Sequence, residues 1–74
     1  MLTVWEAAAV VRELRVKRGW TQSELAGHAS VSRSFVADVE RGKPTVEAAK
    51  LFDLFQVLGF EMSLRDMSTG QVRW

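Results

Sequence analysis

The chain contains no cysteine, which limits the ways in which so short a protein can be stabilised. Without cysteine it has neither a disulfide nor a thiolate metal site, and a single histidine does not make a histidine-based one. A domain of this size buries only about 60% of the surface that its unfolded chain exposes. Small domains normally rely on disulfides, metals or partner subunits, so we expect association between copies to stabilise this 74-residue protein.

Other absences narrow the class of protein. No apolar run approaches the roughly 20 residues of a membrane span, and Glu6 interrupts the region where a signal peptide has its basic and apolar segments. We therefore expect a cytoplasmic protein without a membrane partner. The chain also lacks a pair of acids in a plausible pocket, and its core is too small to enclose a substrate. It is not expected to be an enzyme, or to hold a metal or a cofactor.

The distribution of charge is more informative than the formal net charge of +1. Residues 12–43 contain seven basic and four acidic side chains, whereas residues 44–66 contain two basic and four acidic ones. This asymmetry is typical of a protein with an anionic partner on one face. Ordinary solvated surface charge explains it about as well, so the charges alone do not decide the partner.

Hydroxyl and carboxylate side chains mark the beginnings of the first two helices. Residues 3–6 and residues 21–24 each have Thr and Glu three positions apart, the capping-box arrangement that bonds free backbone N–H groups. Apolar residues with a helical period follow the first box, and this helix is predicted to end at Gly19. The second box predicts a short helix over residues 22–29.

Two further helices are predicted before residue 60. Ser32 can cap a third helix, which is expected to run to about residue 41 and to stop at Gly42. A fourth amphipathic helix follows over residues 48–58, with Thr45 rather than Glu47 as its expected cap. The sequence therefore predicts a mainly α-helical domain.

The period changes from helical to alternating after the fourth helix. Residues 60–65 place apolar side chains on one face and polar ones on the other, as in a half-buried strand. The apolar side chains are Phe60, Met62 and Leu64. A lone strand leaves its backbone groups unpaired, so it needs the same strand of a second copy or the sheet of a different protein. We expect residues 1–65 to form the domain and residues 66–74 to be a flexible tail.

The second and third predicted helices, joined by a turn of three to four residues, have the spacing of a helix-turn-helix. The sequence around them resembles the Xre/Cro-like helix-turn-helix family of phage repressors and bacterial regulators. The matching residues are Arg15, Gly19-Trp20-Thr21-Gln22-Ser23-Glu24-Leu25-Ala26, Val31-Ser32 and Val39-Glu40-Arg41-Gly42-Lys43. Two later segments are similar to HipB-type antitoxins of toxin–antitoxin systems. They are Pro44-Thr45-Val46 and Leu58-Gly59-Phe60-Glu61-Met62.

The resemblance implies both a fold and a function. The implied fold has four to five helices followed by one short C-terminal β-strand that pairs across a homodimer. The implied function is that of an antitoxin and transcriptional autorepressor, which binds a palindromic DNA operator as a dimer and a HipA-type Ser/Thr kinase toxin. Under this interpretation Phe60, Met62 and Leu64 form the dimer contact, and Trp74 is a hypothetical toxin anchor. The alternative for Trp74 is the end of a disordered tail.

The resemblance also assigns roles to individual residues. The positions that match base-reading residues are Ser32, Arg33, Ser34, Ala37 and Asp38. The positions that match contacts to the DNA backbone are Thr21, Gln22, Arg41 and Lys43. The pair that matches a structural ion pair between the first and third helices is Arg15 and Glu40.

Helical geometry independently supports the base-reading positions. Arg33 and Ala37 are four residues apart and Ser34 is beside them, so the three lie opposite the apolar stripe of the third helix. An arginine there can donate two hydrogen bonds to O6 and N7 of guanine, which discriminates by about 1–3 kcal/mol. The alternative is a solvated surface arginine. Asp38 can accept a hydrogen bond from cytosine, or it can orient Arg33 or Arg41.

Two residues fit the resemblance poorly. Phe35 occupies a position that is usually polar or small, and it either meets a thymine methyl group or packs partly against the second helix. His28 is expected to be an ordinary surface residue, with a phosphate contact as the alternative.

Two other classes of function remain open. One is a stand-alone Xre-family or phage-type repressor without a toxin partner. The other is a protein-interaction adaptor with a helix-turn-helix shape and no role on DNA. An adaptor would not show the salt-dependent binding that phosphate neutralisation produces.

Overall fold

Four helices make up most of the described part of the chain, which in this computed structural model is residues 3–73. They are α1 (Val4–Lys17), α2 (Gln22–Ala29), α3 (Arg33–Glu40) and α4 (Ala48–Val57). The prediction of a mainly α-helical domain is confirmed. Among these helices none is both long enough and apolar enough to cross a membrane.

The first two helices begin with the capping boxes that the sequence predicts. The Thr3 hydroxyl accepts from the Glu6 N–H at 3.2 Å, and the Glu6 carboxylate accepts from the Thr3 N–H at 3.0 Å. The same reciprocal pair joins Thr21 and Glu24, at 3.1 and 2.9 Å. These bonds satisfy N–H groups that have no partner inside the helix.

The start of α4 differs from the prediction. Glu47, not Thr45, is its N-cap residue, and no side chain caps the helix. Thr45 lies two positions too early because Val46, between the two, turns inward and packs against the core. The prediction of Thr45 as the cap is therefore wrong.

The core lies where all four helices meet. Five side chains are almost completely buried, and fully burying one of this size contributes about 1.5–3 kcal/mol. They are Val11, Leu25, Val36, Leu54 and Leu58. α3 packs against both α1 and α2, and α4 packs against α2. This packing fixes α2 and α3 relative to each other, which is what a helix-turn-helix requires.

The chain beyond α4 has no regular secondary structure within the described residues. Arg18 Nη2 donates to the Leu58 carbonyl at 2.9 Å and so satisfies an acceptor at the end of α4. Residues 60–64 form no strand, and one isolated antiparallel bridge pairs Arg65 with Val72. A strand forms only with a partner, and within the described residues no second strand lies along residues 60–63 of the single chain. The predicted strand and its pairing across a dimer stay predictions.

Residues 65–72 turn back on themselves. The Asp66 N–H donates to the Gln71 carbonyl at 2.8 Å, and the Arg73 N–H donates to the Leu64 carbonyl at 2.8 Å. The Asp66 carboxylate accepts from the N–H groups of Ser68 and Thr69. The segment predicted to be a flexible tail therefore contains a hydrogen-bonded turn. Trp74 lies outside the described residues.

Candidate nucleic-acid interface

The turn between α2 and α3 sets the orientation of the candidate reading helix. Ser30 takes a left-handed conformation with φ 57°, which ends α2, and the Val31 N–H donates back to the Ala26 carbonyl at 3.0 Å. Two residues later the Ser32 hydroxyl accepts from the Phe35 N–H at 3.0 Å and so caps α3. The two helices are thus joined by a short turn with defined hydrogen bonds.

The two predicted partners of the structural ion pair are in contact. Arg15 Nε lies 2.6 Å from Glu40 Oε2 and Nη2 lies 3.0 Å from Oε1, so the pair is bidentate. The side chains are only 14% and 6% exposed. Arg15 Nη1 also donates to the Trp20 carbonyl at 2.8 Å. Bonded to Glu40, the guanidinium has its pKa raised above the usual value, although burial works in the opposite direction. The pair joins α1, the loop after it, and the end of α3.

Gln22 connects this ion pair to the candidate reading arginine. Its Nε2 donates to Glu40 Oε1 at 3.2 Å, and its Oε1 accepts from Arg33 Nη1 at 3.2 Å. Arg33 is exposed at the first position of α3. One hydrogen-bonded series therefore runs from Arg15 through Glu40 and Gln22 to Arg33. The sequence predicts the Arg15–Glu40 pair and the position of Arg33. It does not predict the two bonds of Gln22 that connect them.

Arg12 was not singled out by the sequence. With Gln22, Ala37 and Arg41 it lines a shallow concavity that also borders the half-buried Arg15–Glu40 ion pair. Basic groups at the rim of such a hollow can bind a phosphate oxygen. The only signal in the sequence is its position one turn before Arg15 on α1, which is too common a spacing to identify a site.

Asp38 contacts the two cations that were predicted to meet the DNA backbone. Its Oδ1 accepts from Arg41 Nη2, and its Oδ2 lies 3.6 Å from Lys43 Nζ. Of the alternatives that the sequence left open, the structure has Asp38 paired with Arg41, and no bond joins it to Arg33 among the described residues.

The remaining predicted DNA contacts differ in exposure. Ser34 is exposed, and Ala37 on the next turn is half-buried. The hydroxyl oxygens of Thr21 and Ser32 accept capping bonds. Since a hydroxyl can still donate its proton, Ser32 remains able to bond a phosphate or base acceptor. The Thr21 hydroxyl also bonds the Glu24 carboxylate.

The two residues that fitted the resemblance poorly have structural roles. Phe35 is 9% exposed and belongs to the core cluster, so it points away from the exposed face of α3. The His28 ring stacks on Trp20 with 4.3 Å between centroids, and the Arg18 guanidinium lies 5.6 Å from the same indole. This stack fixes the loop between α1 and α2. Sequence spacing does not predict it, because the three residues lie on different elements.

The predicted dimer contact is an apolar surface. Phe60, Met62 and Leu64 are 52%, 38% and 63% exposed, and Phe52 of α4 is 47% exposed. Exposed apolar side chains of this number in so short a segment indicate an interaction surface. Within residues 3–73, no group of three or more acidic or histidine side chains is arranged to hold a metal ion.

Electrostatics at the start of α2 favour an acid in its first turn. The pKa of the Glu24 carboxyl is lowered below its usual value. The main cause is the bond that it accepts from the Thr21 backbone N–H, and the bond with the Thr21 hydroxyl lowers the pKa further. The helix N-terminus thus holds a charged acid of its own, beside the predicted phosphate contact of Gln22.

Known proteins share this architecture. Residues 6–67 match the family described as Helix-turn-helix domain. The uncharacterized HTH-type transcriptional regulator y4mF of Sinorhizobium fredii is 37% identical over 59 residues, which is 80% of this chain and 78% of that protein.

Solved structures are similar over most of the chain. A chain in the HipA–HipB–O2–O3 complex has a TM-score of 0.78 at 25% identity, covering 90% of this chain and 94% of that one. The HipB–O4 20mer complex gives the same values. The restriction-modification controller protein C.AhdI from Aeromonas hydrophila has a TM-score of 0.68 at 33% identity, covering 78% of this chain and 84% of that one.

Proposed function

The chain belongs to the Xre-like helix-turn-helix family of DNA-binding transcriptional regulators, and we propose that it acts as an antitoxin and autorepressor. In this role it binds a palindromic operator as a homodimer and binds a HipA-type Ser/Thr kinase toxin.

The observation that carries the proposal is the presentation of Arg33. It lies exposed at the first position of α3, and its Nη1 is bonded to the Gln22 carboxamide at the start of α2. In helix-turn-helix proteins the N-terminal residues of the second helix meet base edges. Arg33 is suited to read a guanine there. The proposed base contacts are Ser32, Arg33, Ser34 and Ala37, whereas the Asp38 carboxylate is paired with Arg41 and Lys43.

The proposed contacts to the DNA backbone surround this position. Gln22 begins α2, and the two cations Arg41 and Lys43 follow α3. Helix starts and cations are the usual donors to phosphate oxygens. The complete proposed set is Arg12, Thr21, Gln22, Arg41 and Lys43.

The exposed apolar side chains beyond α4 support the proposed homodimer. Pairing residues 60–64 with the same residues of a second copy would supply the missing strand partner and cover Phe60, Met62 and Leu64. A two-fold dimer presents two copies of α3 to DNA, which requires half-sites separated by one helical turn, about 34–36 Å, or a multiple of it.

The similarity to HipB in a HipA–HipB complex supports a kinase partner. We propose that Trp74 contributes to that contact, since tryptophan is common among the residues that dominate interface affinity. Deleting residues 72–74 should then weaken binding to the kinase while leaving DNA binding unchanged. Equal kinase affinity for the full and shortened chains would remove this part of the proposal.

The DNA-binding proposal is tested by selection from a pool of random duplexes, together with footprinting on the DNA upstream of the gene. Arg33→Ala should lower operator affinity by about 1–3 kcal/mol and relax preference at one base position. Gln22→Ala should weaken all sequences more evenly, because a phosphate contact carries no sequence information. Lys50→Ala, on α4, is the control for loss of one positive charge. If Arg33→Ala leaves the preference intact, the assignment of the reading residue is wrong.

A stand-alone repressor is the second candidate. It is favoured by the regulator y4mF and the controller protein C.AhdI, which are 37% and 33% identical to this chain and whose names mention no kinase. A binding assay with the purified kinase encoded beside the gene distinguishes the antitoxin from the stand-alone repressor. Binding to this chain supports the antitoxin, and no binding at micromolar concentrations supports the stand-alone repressor.

A further inference from the structure

We propose that Asp38 is a positioning residue that lowers affinity for DNA of unrelated sequence. It does so by holding Arg41 and Lys43 in intramolecular ion pairs, which phosphates displace when α3 is seated on a matching operator. The inference rests on the proposed DNA-binding face, and it assigns to Asp38 a different role from base reading.

Both carboxylate oxygens of Asp38 are engaged by cations. Oδ1 accepts from Arg41 Nη2, and Oδ2 is 3.6 Å from Lys43 Nζ. The Asp38 side chain is 26% exposed, whereas those of Arg41 and Lys43 are 71% and 48% exposed. The acid therefore lies behind the two cations, with its oxygens turned towards them. Both oxygens of Asp38 thus face cations of the same chain.

The backbone after α3 brings Lys43 to Asp38 independently of the side chains. The Lys43 N–H donates to the Asp38 carbonyl at 3.1 Å, and the Gly42 N–H donates to the Val39 carbonyl at 3.0 Å. Gly42 has φ 75°, and a Cβ on it would come within 2.8 Å of the Trp5 ring. Such a turn, with glycine in the left-handed conformation just after the last helical residues, is a common C-terminal cap of α-helices. Since Trp5 packs against it, the turn places the backbone of Lys43 next to Asp38.

Exposed ion pairs are weak, so phosphates can displace them. On unrelated DNA nearly all affinity comes from contacts between cations and phosphates. Arg41 and Lys43 do not make such contacts while they are paired with Asp38. On an operator, base contacts seat α3 in the groove and both cations can reach phosphates. Asp38 therefore acts mainly against unrelated DNA, where no base contact compensates for breaking its pairs.

The salt dependence of binding measures this directly. Each neutralised phosphate adds about 0.9 to the slope of log affinity against log salt, which is about 3.5-fold in affinity between 50 and 200 mM salt. Asp38→Asn keeps the size of the side chain and removes its charge. With a duplex of scrambled sequence, this variant should have a slope steeper by about 0.9–1.8, for one or two released cations. With the selected operator, its slope should match that of the wild type.

The matched control is Asp53→Asn, which makes the same charge change at an exposed position on α4. Arg41→Gln gives a second measurement in an otherwise native chain. It should reduce the slope on the operator by about 0.9 and leave the slope on scrambled duplex unchanged. Thermal unfolding of every variant checks that the fold is retained.

Three outcomes would overturn the inference. The first is an equal salt slope for Asp38→Asn and Asp53→Asn on scrambled duplex. The second is a change in Asp38→Asn that is confined to the preference at one base pair. The third is an equal reduction of the slopes on operator and scrambled duplex by Arg41→Gln. Failure of the proposed function is distinguishable from these outcomes. If the wild type selects no sequence from a random pool, the operator proposal fails. A steeper slope for Asp38→Asn on scrambled duplex would still support the role of Asp38.

Discussion

Replacing Glu40 by alanine should destabilise the folded protein by about 3 kcal/mol, because it leaves a largely buried guanidinium without its partner. Glu40 and Arg15 are 6% and 14% exposed and are joined by two hydrogen bonds of 2.6 and 3.0 Å. Removing one member of a buried pair costs about 3–5 kcal/mol. The lower end applies because Arg15 keeps some solvent and its 2.8 Å bond to the Trp20 carbonyl.

Thermal unfolding followed by circular dichroism measures the effect. For a domain of about 60–100 residues, a loss of 1 kcal/mol lowers Tm by about 4–8 °C, so Glu40→Ala should lower it by about 12–24 °C. All variants are compared at equal concentration, because Tm depends on concentration for any protein whose copies associate. Glu47→Ala is the control, since Glu47 pairs with Lys50 at 3.4 Å in a 62% and 49% exposed pair. Its loss should be below about 1 kcal/mol.

A double variant separates the pair from the packing around it. Arg15→Met combined with Glu40→Met removes both charges, so no unpaired charge stays buried, and much of the stability lost in Glu40→Ala should return. If Glu40→Ala lowers Tm no more than Glu47→Ala, the ion pair contributes nothing measurable and the argument from burial is wrong. If the double variant is as unstable as Glu40→Ala, lost packing rather than unpaired charge is the cause.

Three further predictions concern the helix ends. The bond from the Thr21 N–H lowers the pKa of Glu24 in the folded protein. The ionised Glu24 therefore stabilises the folded state above the pKa that it has in the unfolded chain, and this stabilisation is lost as the pH falls through its pKa in the folded state. Glu24→Gln should flatten the fall in urea midpoint between about pH 6 and pH 3. Gly42→Ala should cost about 1–3 kcal/mol in urea unfolding, because it adds a clash with an indole to a positive φ. Gly70→Ala, at the same φ of 75° with nothing within 4 Å, should cost less, and equal losses would contradict the role of the indole. Ser32→Ala should cost about 0.5–2 kcal/mol by loss of the α3 cap, and an unchanged midpoint would show that this hydroxyl does not stabilise the helix.

Features that depend on residues a few positions apart were predictable from the sequence. The capping boxes at residues 3–6 and 21–24 require only a hydroxyl and a carboxylate three positions apart, and both form. Gly42 ends α3 within one residue of the expected position. Thr45 was wrong as the cap of α4 because the start of that helix depends on how Val46 packs against distant elements. No local pattern contains that information.

The bonds between distant residues could be predicted only where a family resemblance supplied the pairing. Arg15 and Glu40 are 25 positions apart, and nothing local relates them. The bonds of Gln22 to Glu40 and Arg33 span 18 and 11 positions and were not foreseen. These bonds join the stability of the fold to the candidate reading residue, because one carboxylate bonds both Arg15 and the carboxamide that bonds Arg33. Substituting Glu40 by glutamine should therefore lower operator affinity as well as Tm, whereas a substitution that affects only the core should lower Tm alone.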